Sequence, residues 1–298
     1  MSKALAERVQ QLFQPPQALW ACEFTSRHVI VGGVDRRRGR VQGKSAVHLP
    51  ADVLPATLAG NNINKPLLGG VVREALRSAA FKGSEIAVVV PDEAARISFI
   101  STDTLPKTIE EQQTFLRWKL KKTVPFDVDT AQIAFRVVGE RNTAGYGVVV
   151  ALSPRSIVEE YESLMEALDI HAGSVMPSTL AALNLMPLPK DDTLFVKVAP
   201  DCVTTTVFQN GNMKFYRRVA ELGLYESVYP TVLYYQDKLG GTTFKEIVVC
   251  GYDGDVRATA AELQERIGIP ARQMDPRNVD DIYKPSLGAV HLSWANLI

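Results

Sequence analysis

The part of the sequence best suited to binding chemistry is residues 115–127, FLRWKLKKTVPFD. It places Phe115, Trp118 and Phe126 among four basic residues, at positions 117, 119, 121 and 122. Aromatic rings provide stacking surfaces and apolar anchors, and the cationic groups attract anions. Three kinds of ligand therefore stay open for this stretch: a nucleic acid, a membrane surface, or a segment of another protein.

Signatures of the commonest catalytic and metal sites are missing from the sequence. It contains no GxSxG, HExxH or GxxxxGK[ST] motif. The four histidines are scattered without ligand spacing, which predicts no metal site. Cys22, Cys202 and Cys250 show no CxxC spacing, so we expect small buried side chains in a reducing compartment.

The composition is that of a neutral globular protein. Basic and acidic residues both number 33, so no overall field attracts a polyanion. Nucleic-acid binding through the arginines at 36–40 or the bases at 117–122 is disfavoured for this reason, and we expect no nucleic-acid partner. The 298 residues suffice for two compact domains. The apolar runs have only strand length, and no signal-peptide pattern is present, so the chain is expected in the cytoplasm.

Hydrophobic periodicity predicts the elements of the first half. The helices are expected at 1–14 and 66–81, and the strands at 19–24, 28–34, 40–48 and 86–90. The arginines at 36–38 are expected at a solvated hairpin tip. Thr108 and Glu111 form a capping box that predicts a helix beginning at Ile109, and Pro125 prevents its continuation beyond about Lys122. Two strands and a helix follow, and they complete a small unit at residues 86–167.

The second half begins like the first. Its strands are expected at 194–198, 203–208, 213–219 and 246–250, and its helices at 222–239, interrupted at Pro230, and before Gly268. Placing Glu23 over Lys197 aligns the first two hairpins at an offset of 174 residues. The pattern predicts an internal duplication.

A duplicated strand-turn-strand unit, followed by a strand, a glycine turn and a helix, resembles the actin-like ATPase fold. The inserted unit carries Thr104-Leu105-Pro106, Glu110-Glu111, Arg117-Trp118 and Pro125-Phe126, and the late helix ends in Gly268-Ile269-Pro270. In this order the motifs resemble the PilM family of type IV pilus assembly proteins, which are relatives of FtsA and of the cytoplasmic part of GspL proteins. The resemblance extends over nearly the whole chain from about Leu19, including a final helix near 287–297.

The resemblance implies an α/β, duplicated, ribonuclease H-like fold of two domains. Residues 1–85 would form the first actin-like subdomain, continued by 168–190 and 279–298. Residues 86–167 would form an inserted 1C-type subdomain, and residues 191–278 the second domain.

The chain departs from the family where the family binds nucleotide. Glu23-Phe24-Thr25 stands where Asp-Ile-Gly is usual, and Lys197-Val198-Ala199 where another Asp-x-Gly is expected. Gly251-Tyr252-Asp253-Gly254 replaces a run of glycines. The degenerate cleft would comprise Glu23, Thr25, Ser26, Lys197, Ala199, Gly251, Tyr252, Asp253 and Gly254.

These replacements disfavour ATP and Mg²⁺ as cofactors. Thr25 and Ala199 carry a Cβ where backbone N–H groups would approach a phosphate. An ammonium at Lys197 repels Mg²⁺, although it could contact a phosphate directly and so leaves metal-free nucleotide binding open. Tyr252 would fill space that an adenine needs. We expect no bound cofactor, and an ion pair between Glu23 and Lys197 that closes the cleft.

The resemblance implies a non-enzymatic scaffold that binds the cytoplasmic N-terminal tail of a PilN-like inner-membrane protein, together with other pilus or secretion components. The tail would lie between the first subdomain and the inserted one, and would hold the protein at the inner membrane. Self-association is also open. Predicted contacts are Leu105, Phe115, Trp118, Val124, Pro125 and Phe126, although Phe115 and Trp118 could instead be core of the inserted unit. The alternative function is an actin-like ATPase with unusual phosphate loops.

Overall fold

A computed structural model describes residues 18–35, 40–50, 53, 55–60, 64–142, 145–220, 223–252, 255–274 and 280–290. The predicted helix at 1–14, the hairpin tip at 36–38, and the cleft residues Asp253 and Gly254 lie outside these ranges. No helix in the described ranges is long and apolar enough to cross a membrane.

The strands are β1 (Trp20–Phe24), β2 (His28–Asp35), β3 (Arg40–His48), β4 (Glu85–Val90), β5 (Arg96–Thr102), β6 (Gln132–Asn142), β7 (Gly145–Ser153), β8 (His171–Pro177), β9 (Thr193–Val198), β10 (Cys202–Gln209), β11 (Asn212–Ala220), β12 (Glu246–Gly251) and β13 (Ala271–Gln273). The helices are α1 (Lys65–Ser78), α2 (Ile109–Leu120), α3 (Arg155–Glu166), α4 (Ser178–Leu183), α5 (Leu224–Leu239), α6 (Val256–Ile267) and α7 (Lys284–Val290). Short 3-10 helices occupy Asp92–Ala94 and Asp281–Tyr283.

Two five-stranded sheets carry the duplication. Their strand orders are β3-β2-β1-β4-β8 and β11-β10-β9-β12-β13. In each, the first three strands are antiparallel and the last two are added in parallel. Glu23 pairs with Ile30 in the first sheet, and Lys197 pairs with Thr204 in the second, so the register repeats at the predicted offset. The duplication is confirmed.

The first sheet is covered by α1 and α3. The buried faces of these helices, including Leu68, Val72, Tyr161 and Leu164, form one core with β1, β2 and β4. Pro66 lies in the first turn of α1, where a missing N–H costs nothing, and the Asn64 side chain accepts a hydrogen bond from Leu67. The second sheet packs against α5 and α6 around a core of its own.

The inserted unit is a three-stranded sheet, β5-β7-β6, that buries Leu116 and Leu120 of α2. It is narrower than the predicted range 86–167. Strand β4 is hydrogen-bonded between β1 and β8 in the first sheet, because its Val-rich run suits burial on both faces. Helix α3 likewise packs its apolar face into the first core.

Helix α7 lies against the first half of the protein. Leu287 and Val290 pack with Ala21 of β1 and Val89 of β4. A Cβ at Gly288 would lie 2.0 Å from the Ala181 carbonyl oxygen of α4, so glycine permits the close approach of the two helices. The final helix thus begins at Lys284, earlier than the predicted 287, and residues 291–298 lie outside the described part.

One expectation about an individual element needs correction, and two strands were not predicted. Helix α5 is continuous through Pro230, which the sequence suggested would interrupt it. Strand β5, at Arg96–Thr102, and strand β8, at His171–Pro177, were not expected. The capping box of α2 is confirmed, since Thr108 Oγ1 accepts from Glu111 N and the Glu111 carboxylate accepts from Thr108 N.

Candidate functional site: the central cleft and the junction groove

The central cleft lies at the carboxyl ends of the middle strands of both sheets. Strand β1 contributes Glu23 and β9 contributes Lys197, and both side chains are buried. Asp92 comes from the turn after β4, Ser178 from the start of α4, and Tyr252 from the segment after β12. Carboxyl ends of parallel strands are the usual ligand position in α/β sheets, so this is where a ligand would be expected.

The predicted ion pair between Glu23 and Lys197 is not formed. The Lys197 ammonium instead lies 2.9 Å from Asp92 Oδ2, and both side chains are at most 1% exposed. Asp92 also accepts hydrogen bonds from Thr179 N (2.8 Å), Thr179 Oγ1 (2.6 Å) and Thr204 Oγ1 (3.3 Å). Four donor groups of the protein therefore surround the Asp92 carboxylate, which links elements of both halves.

Glu23 belongs to a second polar group beside this ion pair. Its Oε1 accepts hydrogen bonds from Ser178 Oγ (2.6 Å) and from the Tyr252 hydroxyl. The other oxygen, Oε2, is buried without a hydrogen-bond partner in the described part of the chain. Lys197 Nζ lies 4.9 Å from the centre of the Tyr252 ring. Tyr252, which comes from the second half, thus reaches across the cleft and donates a hydrogen bond to Glu23 of the first half.

Burial decides the protonation of Glu23, whereas charge pairing decides that of Asp92. Desolvation raises the pKa of Glu23 to about 7, although Lys197, Ser178 and Tyr252 act in the opposite direction. Desolvation also acts to raise the pKa of Asp92, but Lys197 and the Thr179 hydrogen bonds outweigh it, and the pKa falls below its usual value. For Lys197 desolvation is likewise outweighed by Asp92, so its pKa lies above the ordinary range. The cluster therefore contains one ion pair, Asp92–Lys197, and one glutamate, Glu23, whose pKa lies close to neutral pH.

The hairpin turns that would approach phosphates are closed by their own hydrogen bonds. Thr25 Oγ1 accepts from Arg27 N (3.2 Å) and His28 N (2.8 Å), and Thr25 N donates to His28 O. In the second hairpin, Ala199 N donates to Cys202 O at 2.9 Å. Backbone N–H groups used in this way are not available to a phosphate, since each N–H carries one donor.

Little space remains in the cleft. The cavity lined by Thr25, Ser26, Asp92, Lys197, Ala199 and Tyr252 has a volume of about 20 Å³. That is roughly the space one water needs. The Tyr252 ring is 7% exposed and occupies the cleft where the sequence resemblance places an adenine. The described residues therefore leave room in the cleft for about one water molecule, and no group of three or more metal-ligating side chains occurs among them.

The six predicted partner contacts lie on the inserted unit and differ in exposure. Leu105, Phe115, Val124 and Phe126 are partly buried against that unit's own core. Pro125 is exposed, and Trp118 is 69% exposed, so Trp118 is not core. Arg117, from the same helix, donates to the backbone carbonyls of Val128 and Ala131 and thereby fixes the loop after α2.

A separate groove lies at the junction of the first sheet and the inserted unit. It has a volume of about 290 Å³. Edge strand β8 contributes Ala172–Val175, edge strand β6 contributes Gln132–Ala134, and α3 contributes Val158, Tyr161 and Glu162. Tyr161 is fully buried beneath the groove, and its hydroxyl donates to the Ala56 carbonyl at 2.6 Å. The sequence resemblance predicts a groove at this junction, but none of these lining residues is among the six predicted contacts.

Comparison with known proteins identifies the architecture. No protein-family model matches the chain, and no curated protein matches it either. Among solved structures, a chain of a PilM-PilN type IV pilus biogenesis complex is 13% identical with a TM-score of 0.76, the match covering 95% of this chain and 100% of that one. The cytoplasmic domain of EpsL, an inner-membrane component of the Vibrio cholerae type II secretion system, is 13% identical with a TM-score of 0.58, covering 93% and 96%.

A Bacteroides thetaiotaomicron protein of unknown function with an actin-like ATPase fold is 10% identical with a TM-score of 0.57, covering 89% of this chain and 93% of that one. The two sheets of identical strand order and the intervening three-stranded unit agree with this fold. The chain therefore has the two-domain actin-like fold, and its architecture is similar over nearly its full length to that seen in the PilM-PilN complex.

Proposed function

We propose that this protein is a non-enzymatic cytoplasmic scaffold of a type IV pilus or type II secretion inner-membrane complex. In this proposal it binds the N-terminal cytoplasmic tail of a PilN-like membrane protein and reaches the membrane through that partner. The likeness to a chain of the PilM-PilN complex and to the EpsL cytoplasmic domain supports the class of machine. Other components of the same machine would bind elsewhere on its surface.

The observation that carries the proposal is the junction groove, which suits a short extended peptide. β8 and β6 both lie at sheet edges, so their outward backbone groups can pair with an added strand. Small side chains, Ala134, Ala172 and Ser174, leave room for the residues of such a strand. The volume of about 290 Å³ lies at the lower end of ligand pockets and suits a few residues rather than a folded domain.

The charge of the groove suggests which residues the tail carries. Glu162 is the acidic residue among those that line it, and its side chain is exposed. A lysine, an arginine or the tail's own α-ammonium would pair with this carboxylate, while apolar residues contact the partly exposed Ile133 and Val175. The tail is therefore expected to combine one basic group with apolar residues on alternate positions.

The central cleft supports a function without nucleotide turnover. Donors that would hold phosphates are used within the hairpins, and a buried lysine stands where a Mg²⁺ ligand would be needed. The same side chains connect the two halves through Asp92–Lys197 and through Glu23–Tyr252. We propose that this cluster holds the two halves in one relative position.

The test is binding of a fluorescein-labelled peptide, matching the tail of the PilN-like protein of the same organism, to the purified chain. Ala134→Trp should fill the groove and weaken binding at least about tenfold, because Ala134 is an exposed groove residue. Ala258→Trp, at an exposed alanine on α6, is the matched control and should bind like the unaltered chain. Equal affinity of the Ala134→Trp variant would exclude the groove, and absence of binding by the unaltered chain would exclude the function.

A further inference from the structure

An exposed stripe on α2 is unused by either the cleft or the groove. It consists of Glu111, Phe115, Trp118 and Lys122, which we call the α2 stripe. At 100° per residue these four positions fall within roughly 60° of one another, opposite the buried Leu116 and Leu120. Lys121 has helical backbone angles (φ −52°, ψ −31°), so the winding continues into the turn that holds Lys122.

The centre of the stripe is apolar, with Trp118 open to solvent and Phe115 partly buried beside it. Trp118 is 69% exposed, the largest exposed fraction among the large hydrophobic side chains of the described residues. Its ring centre lies 6.3 Å from that of Phe115, and the depression bordered by these rings, Thr114, Glu110 and Glu111 has a volume of about 530 Å³. An apolar surface centred on an exposed tryptophan of this kind marks an interaction surface.

The residues of the stripe are placed symmetrically about its centre, with an acidic residue at one end and a basic residue at the other. The midpoint between Phe115 and Trp118 falls between residues 116 and 117, and the midpoint between Glu111 and Lys122 falls at the same place. At 1.5 Å per residue, the acidic and the basic group each lie about 8 Å from this centre along the axis. A second copy of the stripe, turned by 180°, therefore places Glu111 against Lys122 twice and Phe115 against Trp118 twice.

From this geometry we propose that two copies of the protein associate through an antiparallel pair of α2 helices related by a two-fold axis. Charge complementarity singles out a second copy as the occupant, because the stripe is complementary to itself. An anionic membrane fits less well, since Glu110, Glu111, Asp127 and Asp129 lie beside the lysines and would be repelled. One helix pair buries less than the roughly 1,200 Å² of a stable complex, so the dimer is weak in solution. Tethering at a membrane would favour it by raising the local concentration.

The test is sedimentation equilibrium of the full chain over a concentration series. The unaltered chain should show a monomer–dimer equilibrium, and Trp118→Ala should lower the association constant at least about tenfold. Glu111→Lys and Lys122→Glu should each be monomeric alone, because each brings like charges together twice. An equimolar mixture of these two variants should recover the dimer, since every acidic position of one then faces a basic position of the other.

Lys238→Glu is the matched control, because Lys238 is an exposed lysine in the last turn of another helix, α5. It should associate like the unaltered chain. A chain that stays monomeric throughout the series would overturn the proposal, as would association that both charge reversals leave unchanged or a mixture that fails to recover. Binding of monomeric protein to phosphatidylglycerol vesicles that is lost in Trp118→Ala, without any dimer, would assign the stripe to the membrane instead and also overturn it.

Discussion

Replacement of Lys197 by methionine tests the buried ion pair that connects the two halves. The Lys197 ammonium lies 2.9 Å from Asp92 Oδ2, and the two side chains are 1% and 0% exposed. Methionine keeps most of the side-chain length and removes the charge together with the hydrogen-bond donor. Asp92 would keep its hydrogen bonds from Thr179 and Thr204 but would lose its counter-ion, and a buried charge left in this way costs about 3–5 kcal/mol.

The expected loss is large enough for a thermal unfolding experiment. At about 2 °C or more per kcal/mol, Lys197→Met should lower Tm by at least about 6 °C at neutral pH. Lys121→Met is the matched control, because Lys121 also lies 2.9 Å from an aspartate, Asp129, but both side chains are 62% exposed. Its Tm should not change, since exposed pairs of this kind contribute little. Similar Tm values for the two variants would refute the claim that Lys197 and Asp92 form a dry pair.

The double variant separates the pair from its two members. Asp92→Asn alone should also destabilise the protein, because it leaves the lysine buried without a counter-ion. Combining it with Lys197→Met removes both charges, so the double variant should lose at least about 2 kcal/mol less than the two single losses together. Strict additivity would show that the two side chains do not interact.

Three other perturbations test neighbouring parts of the account. The pKa of Glu23 is raised to about 7 in the folded protein, above its unfolded value, so the folded state binds one more proton than the unfolded state between about pH 4.5 and 7. The free energy of unfolding of the unaltered chain, relative to that of Glu23→Gln, should therefore fall as pH rises through this window, by at most about 1.4 kcal/mol per pH unit. A difference that stays constant with pH in urea unfolding would contradict this prediction. Thr25→Val should lower the free energy of unfolding by about 1–2 kcal/mol in the same assay, because two backbone N–H donors lose their acceptor. Thr25→Ser keeps the hydroxyl and should retain most of the stability. An equal loss in the two variants would refute this role of the hydroxyl. Gly288→Ala should lower Tm, because the added Cβ would clash with the Ala181 carbonyl. Gly69→Ala in α1 should not lower Tm, because an added Cβ there would lie 3.8 Å from its nearest neighbour, Leu164 Cδ1. An unchanged Tm in both variants would show that α7 does not pack closely on α4.

Elements with a strong local pattern were predictable from the sequence. β3 begins and ends at the predicted residues, and the capping box placed the start of α2 correctly. The repeated hairpin also revealed the duplication, because an alternating run followed by a tight turn recurs at a constant offset. In these places side-chain periodicity and backbone structure carry the same information.

Other elements depend on contacts that local periodicity does not encode. The residues of β8 include His171, Gly173 and Ser174, which do not form a strand pattern, and the strand is defined by pairing with β4. Pro230 did not end α5, because tertiary packing of Val228 and Val232 holds the helix on either side of it.

The chemistry of the cleft was predictable only in part. The sequence placed Glu23 and Lys197 at equivalent positions, but the counter-ion is Asp92, which lies 105 residues from Lys197 in the chain. The only local signal for Asp92 is its position directly after a buried parallel strand, where side chains converge at the sheet edge. A search of strand ends for a complementary carboxylate would have found it.

We propose that the protein's own side chains fill the central cleft and that the chain functions without nucleotide turnover. Isothermal titration calorimetry of the purified chain with ATP, with and without Mg²⁺, tests this claim most directly. No saturable heat is expected in either condition, because the hairpin donors are used internally and the remaining cavity is only about 20 Å³. Saturable binding, above all if Mg²⁺ strengthens it, would contradict the account and would identify the cleft as a working nucleotide site.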